Sequence, residues 1–201
     1  VIHELISQNF LREEIAVVLG GPTETTSIID AKPDFVFYTG CTAVGAIIYQ
    51  KAAQYLIPVV LELGGKSPCF IYGDVDLDLA AKRVVWGKFF NAGQSCIAPD
   101  YILIEKNRKK EFAEKCQKYI HQFFTKDAQK SDSYGRIISD RHFSRLTSLL
   151  IANDIIFGGQ TDVKDRFIAP TLVNATWDSG LMKEEIFGPI LPLIEIENLD
   201  D

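Results

Sequence analysis

Apolar positions in the first third of the chain come in short runs closed by glycine or proline, with helical spacing between the runs. Ile15-Ala16-Val17-Val18-Leu19 runs into Gly20-Gly21-Pro22 and predicts a buried strand with its turn. Asp34-Phe35-Val36-Phe37-Tyr38 predicts a second strand, ending at Thr39-Gly40. Val44, Ile47, Ile48, Ala52 and Tyr55 then recur at helical spacing, and Pro58 to Leu63 predicts a third strand stopped by Gly64-Gly65. Short apolar strands joined by helices form the βαβ pattern of a parallel sheet, whose crossover helices cover its faces.

The remainder is also mixed. Asp76 to Phe90 predicts a helix with Leu77, Ala80, Ala81, Val84 and Val85 on one face, followed by a strand at Tyr101-Ile102-Leu103-Ile104. Asn107 to Phe124 is the clearest helix, its apolar stripe being Phe112, Ala113, Cys116, Tyr119, Ile120, Phe123 and Phe124. A polar loop at Lys126 to Ser133 leads to a helix around Arg141 to Ala152, a strand at Ile155-Ile156-Phe157 and a Gly158-Gly159 turn. Phe167 to Val173 and Pro189 to Ile196 are extended. No flexible linker separates these parts, so a domain border near Gly64-Gly65 is tight.

Composition narrows the class. The 201 residues are 47% hydrophobic, 24% charged and 11% aromatic, enough for a sizeable core and unlike disordered or collagen-like chains. A net charge of −6 argues against a nucleic-acid partner, which usually calls for a basic face. No window reaches the roughly 18 consecutive apolar residues of a membrane helix. Cys41, Cys69, Cys96 and Cys116 form no CxxC pair, and His3, His121 and His142 do not cluster, so no metal site is expected. Scattered cysteines fit free thiols in a reducing, intracellular compartment. The single methionine, Met182, and the start at Val1 are read as signs of a piece of a longer protein.

Three segments carry candidate chemistry. Gly40-Cys41-Thr42-Ala43-Val44-Gly45 lies between a strand and a helix, where free amides and the helix dipole favour an anion such as a pyrophosphate. Its spacing is neither G-x-G-x-x-G nor a P-loop, and it also reads as a glycine turn that simply starts a helix. Gly65-Lys66-Ser67 lacks the glycine a P-loop needs five positions earlier, where Val60 stands. Glu62 ends an apolar strand; burial would raise its pKa toward that of a general base, but taken alone it reads as an ordinary strand-end glutamate reaching solvent. Asn91-Ala92-Gly93-Gln94-Ser95-Cys96 puts a thiol on a glycine-containing, non-helical segment, as a nucleophile requires. Cys116 reads as core filler, Cys69 as buried strand, and Cys41 as facing the anion site or packing at the turn.

Together, Tyr38-Thr39-Gly40, the run to Gly45, Leu61-Glu62-Leu63-Gly64-Gly65-Lys66-Ser67-Pro68, Phe90-Asn91-Ala92-Gly93-Gln94-Ser95-Cys96 and Glu184-Glu185-Ile186-Phe187-Gly188-Pro189 resemble the aldehyde dehydrogenases. Ala98-Pro99-Asp100-Tyr101, Tyr134-Gly135-Arg136-Ile137-Ile138 and Ile168-Ala169-Pro170-Thr171 resemble the class 3 branch, which includes the fatty aldehyde dehydrogenases. The implied fold is α/β: residues 1–63 as the C-terminal part of a Rossmann-like NAD(P)-binding domain, then 64–201 as a catalytic domain truncated at its C-terminus. The oxyanion asparagine and the lysine near the adenine ribose would lie upstream, and the rest of the catalytic domain and the subunit-joining arm downstream.

The resemblance implies roles. Cys96 would attack the aldehyde carbonyl and carry the thioester, its backbone amide would help form the oxyanion hole, and Glu62 would activate the hydrolytic water. Gly40, Cys41, Thr42, Ala43, Val44 and Gly45 would face the pyrophosphate of NAD or NADP. Glu185 would hold the nicotinamide ribose, with Phe187 beside it. Cys41 departs from the family's usual serine, a weaker hydrogen-bonding group. The implied substrate is an aldehyde, with long-chain aliphatic ones as candidates. The implied parent is a homodimer, cytoplasmic or on the cytoplasmic face of a membrane, with no membrane segment in this chain. Two rival readings are a catalytically incomplete piece that folds or binds partners without turnover, and a thioester or ester hydrolase.

Overall fold

The structure is a computed structural model that describes residues 1–151 and 153–198. The last residue of the helix expected from Arg141 to Ala152 and the end of the expected 64–201 segment therefore lie outside the described residues. The chain divides into two compact units, Val1–Gly64 and Gly65–Asp201.

The first unit contains α1 (Ile2–Asn9), α2 (Pro22–Asp30), β1 (Val36–Gly40), α3 (Thr42–Ala53) and β2 (Val59–Leu63). Pro22 supplies the pre-set φ of a first helical turn, and the Glu24 carboxylate accepts the Gly21 N–H at 2.7 Å, so α2 starts sharply. β1 and β2 pair in parallel, from Val36 opposite Val59 to Gly40 opposite Leu63. Ile29, Ile48, Ala52 and Ile57 form the core, with Val36, Tyr38, Tyr55 and Val59 packed on it. The Asp30 carboxylate, paired with Lys51 at 2.5 Å and accepting the Tyr55 hydroxyl at 2.7 Å, ties α2 to α3.

Two expectations change here. Ile15–Leu19 is not a strand, and Ile15, Val18 and Leu19 are exposed. An extended segment becomes a strand only when a neighbour takes its backbone groups, and no described strand lies beside it. The buried face of α3 is Gly45, Ile48 and Ala52, while Val44 and Ile47 are exposed. Gly45 sets this rotation, since a Cβ there would lie 2.8 Å from Leu63 Cδ2, and α3 closes onto β2 along that line.

The second unit runs β3 (Pro68–Ile71), α4 (Leu77–Phe89), β4 (Tyr101–Glu105), α5 (Lys106–Phe124), α6 (Asp140–Ile151), β5 (Asp154–Phe157), β6 (Thr161–Asp162), β7 (Phe167–Ile168), β8 (Thr171–Ala175) and β9 (Ile190–Ile196). Its five-stranded sheet has the order β3-β4-β9-β8-β5, parallel throughout except for the edge strand β5. β6 and β7 form a separate antiparallel pair. β9 is central and buried from Ile190 to Ile194, as a strand covered on both faces must be. Asp76 caps α4 by accepting from the Asp78 and Leu79 amides at 2.9 and 3.2 Å. The α5 stripe is buried at Phe112, Ala113, Cys116, Tyr119, Ile120 and Phe124, each large side chain contributing about 2 kcal/mol relative to exposure. No helix among the described residues is long and apolar enough to cross a membrane.

The parallel order fixes where the chemistry gathers. Pro68 opens β3, Tyr101 opens β4 and Ile190 opens β9, and these strands are neighbours running the same way. The segments entering them, 65–67, 96–100 and 184–189, therefore converge at the amino-terminal end of the sheet.

Candidate active site

In the first unit, Cys41 is the N-cap of α3; it is exposed and its thiol makes no capping bond. The first-turn amides of Thr42, Ala43 and Val44 have no partner earlier in the helix and stand at the positive end of its dipole. Gly45 is buried, and its N–H donates to the Cys41 carbonyl at 2.9 Å. Of the two glycines, Gly40 ends the strand, and Gly45 serves helix–sheet packing. Glu62 lies on β2 opposite Thr39 and is exposed. It has the solvent-facing position that its bare sequence context also allowed.

In the second unit, Cys96 is exposed in a turn closed by the Ala98 N–H donating to the Ser95 carbonyl at 3.1 Å. The approach to it is unusual. Asn91, Ala92 and Gly93 have φ of 52°, 52° and 74°, three successive left-handed residues at the end of α4. Such a run is strained for side-chain-bearing residues and persists only when its surroundings over-determine it. Gln94 does much of this: its amide donates to the carbonyls of Asn91 and Arg136, both at 3.0 Å, and its Oε1 accepts the Ile138 N–H at 3.0 Å. A Cβ on Gly93 would fall 2.3 Å from the Gly188 carbonyl oxygen, so the cysteine segment and the 184–189 segment touch backbone to backbone.

Charged side chains complete the junction. Lys66 pairs with the buried Asp100 and donates to the carbonyls of Leu181 at 2.8 Å and Glu184 at 3.1 Å. Asp100 accepts the Ile186 N–H at 2.9 Å, and its own N–H donates to the Ser67 carbonyl at 2.9 Å. Arg145, from α6, donates to the Ile186 carbonyl at 2.5 Å. Lys88, 1% exposed, lies within the influence of Asp100, Glu185 and Lys66. Burial lowers its pKa to about 8; Lys66 adds to the lowering, and the charges of Asp100 and Glu185 oppose it. Burial likewise raises the Glu185 carboxyl, and a hydrogen bond from the Gly65 N–H is the main opposition. Phe187 is half-buried with φ of 48°.

Sequence reasoning singled out Cys96, Glu185 and Phe187, and the second unit brings their segments together. It gave no role to Lys88 or Arg145, and it met Lys66, Gln94 and Asp100 only within motifs, without a role of their own. Lys88 had left a signal, since it continues the apolar face of Leu77, Ala81, Val84 and Val85. Cys69 is partly buried on β3 and burial raises its thiol; Cys116 is fully buried in α5. Among the described residues, no three His, Cys, Asp or Glu side chains group as metal ligands would.

The second unit thus holds an exposed thiol on a pinned loop and a half-buried glutamate on a neighbouring segment, and the first unit holds a helix amino terminus preceded by a strand. The family description "Aldehyde dehydrogenase family" matches residues 4–201, and the chain belongs to that family. It is 46% identical, over its whole length, to mouse "Aldehyde dehydrogenase, dimeric NADP-preferring", covering 45% of that protein. It is also 46% identical to mouse "Aldehyde dehydrogenase family 3 member A2", covering 42% of it. Among solved structures, "Substrate bound state of Staphylococcus Aureus AldH" superposes with a TM-score of 0.96 at 44% identity, over 99% of this chain and 44% of that one. The chain thus spans less than half the length of these relatives.

Proposed function

We propose that the full-length protein oxidises an aldehyde to a carboxylic acid with NAD or NADP. Family membership supports the reaction class, and the observation that carries the local assignment is the exposed Cys96 on a loop whose conformation is fixed on three sides. The Cys96 thiolate adds to the carbonyl carbon to give a thiohemiacetal, and loss of its carbon-bound hydrogen as hydride leaves the sulfur carrying the acyl group as a thioester. The Cys96 N–H is assigned to the oxyanion that forms on addition. The dinucleotide, when bound, supplies the hydride acceptor. Glu62 takes a proton from the water that attacks the thioester, and the acid leaves with Cys96 regenerated.

The residues fit a dinucleotide. The amides at the start of α3, from Gly40 through Cys41, Thr42, Ala43 and Val44 with Gly45 behind them, suit its phosphates. The half-buried Glu185 suits a pair of ribose hydroxyls, with Phe187 beside it. The first mouse relative, described as dimeric and NADP-preferring, supports NADP and a dimeric parent, and NAD and an aliphatic aldehyde belong to the same reading. Exposed Phe90 and Ile97, flanking the cysteine segment, add apolar surface for an alkyl chain. Four free cysteines agree with an intracellular, reducing location. The division into a coenzyme part (1–63) and a catalytic part (64–201) belongs to the same reading.

The test is NAD(P)H formation from an aldehyde by the full-length protein and its Cys96→Ala variant. Turnover falling by about a thousandfold or more in the variant is expected for loss of a nucleophile, and turnover that persists refutes the assignment. A second reading, a folded piece without turnover, is favoured by the open face of the β1–β2 pair, where Phe37 is 64% exposed. The same assay on the 201-residue chain, beside calorimetric titration with NAD, decides it: neither binding nor turnover supports the piece.

A further inference from the structure

The segment from Glu184 to Phe187 carries the glutamate assigned to the cofactor, yet it belongs to no helix or strand. A coil segment is held only by what its backbone polar groups meet. Here side chains from three other segments meet them. Lys66 takes the Glu184 carbonyl at 3.1 Å, Asp100 takes the Ile186 N–H at 2.9 Å, and Arg145 takes the Ile186 carbonyl at 2.5 Å. Lys66 also reaches back to the Leu181 carbonyl at 2.8 Å, so it brackets the segment's entry as well. The Lys66 and Asp100 side chains are 22% and 4% exposed and paired with one another, which removes the freedom of both. Arg145 adds a charge contact to Glu184 at 3.5 Å.

We infer that Lys66 and Arg145 are positioning residues that set the placement of Glu185, and through it the affinity for the dinucleotide. This rests on the cofactor assignment given above. Neither residue needs to touch the cofactor. Each fixes a backbone carbonyl adjoining or belonging to the two residues that carry and follow the glutamate, and a displacement of about 1 Å in a binding group can cost up to a hundredfold. Cys96 is held by different bonds, those of Gln94 and the Ser95–Ala98 turn, so loss of Lys66 or Arg145 should loosen one segment and spare the other.

That separation is measurable. NADH and NADPH are titrated into the full-length protein by fluorescence, and iodoacetamide alkylation of Cys96 is timed by peptide mass spectrometry on the same preparations. Lys66→Met is expected to weaken dinucleotide affinity about tenfold or more, and Lys66→Arg, which keeps charge and donors, to recover most of it. Arg145→Lys, which loses the planar fork, weakens affinity about threefold or more, while alkylation rates stay within about twofold throughout. If Lys66→Met does not fold, Arg145→Lys carries the test alone. Unchanged affinity in the folded variants, or alkylation falling in step with affinity, overturns the inference. A wild-type protein that alkylates at Cys96 but binds neither dinucleotide overturns the cofactor assignment itself.

Discussion

Lys88 sits on the α4 face that buries Leu77, Ala81 and Val85, with an ammonium group 1% exposed and a pKa lowered to about 8. A buried charge persists where partners offset its desolvation, and the charges of Asp100 and Glu185 do so here. The consequence for stability has a definite sign. In the unfolded chain Lys88 keeps its proton up to about 10.5, whereas the folded protein loses it above about 8. Between those values the unfolded state binds more protons, so this group's contribution rises with pH and is lost as pH falls through about 8. The full span corresponds to about 3 kcal/mol. Denaturant unfolding at pH 7.5 and pH 10 should show wild type gaining on Lys88→Met by an amount of that order, and a pH-independent difference would contradict it.

At the same scale, the exposed cysteine segment was legible and the side chains that hold its surroundings were not. Cys96 stands in a short glycine-bearing segment that announces itself by composition. Lys66, Asp100 and Arg145 act on backbone groups far along the chain, Lys66 on the Leu181 carbonyl 115 positions away, Asp100 on the Ile186 N–H 86 away and Arg145 on the Ile186 carbonyl 41 away. Nothing in local spacing encodes such contacts, because any residue supplies a carbonyl. Glu62 shows the converse: the sequence marks its strand, while its exposure is a matter of what surrounds the strand.

Among elements, the decisive one is the left-handed stretch Asn91–Gly93 that ends α4 and turns the chain toward Cys96. Gly93 is constrained twice, by a φ of 74° and by the Gly188 carbonyl 2.3 Å from where a Cβ would sit. Gly93→Ala should cost about 2 kcal/mol or more, because backbone rather than a side-chain tip must move. Differential scanning calorimetry reads this as a lowered Tm, and an unchanged Tm would mean the two segments do not press on each other. Helices were read well from sequence because α4 and α5 bury one continuous stripe each. The strand expected at Ile15–Leu19 failed for a physical reason. Apolar runs state that a segment can be a strand, but pairing needs a neighbour, and β2 has β1 where Ile15–Leu19 has none among the described strands. The helix face of α3 was misread because Gly45, which carries no hydrophobic signal, is what lies against Leu63.

For the whole molecule, the order of parallel strands does what no single motif could. Placing β3, β4 and β9 side by side and in the same direction brings residues from positions 65–67, 96–100 and 184–189 to one end of one sheet. The two units differ in how far they are self-sufficient. The second has a sheet whose central strand β9 is buried almost throughout, whereas the first rests on Ile29, Ile48, Ala52 and Ile57 and leaves Phe37 and Val60 exposed on its pair of strands. The residues of the proposed site are likewise divided, with Glu62 and the start of α3 in one unit and Cys96 and Glu185 in the other.

In the proposed reaction Cys96 carries the acyl group and Glu62 serves its hydrolysis. The most direct measurement is intact-protein and peptide mass spectrometry of the full-length Glu62→Gln variant, quenched shortly after mixing with an aldehyde and NAD or NADP. An acyl adduct on the Cys96 peptide is expected, formed with a burst of reduced dinucleotide, together with a steady-state rate about a hundredfold or more below wild type. A normal steady-state rate with no adduct on Cys96 would contradict it.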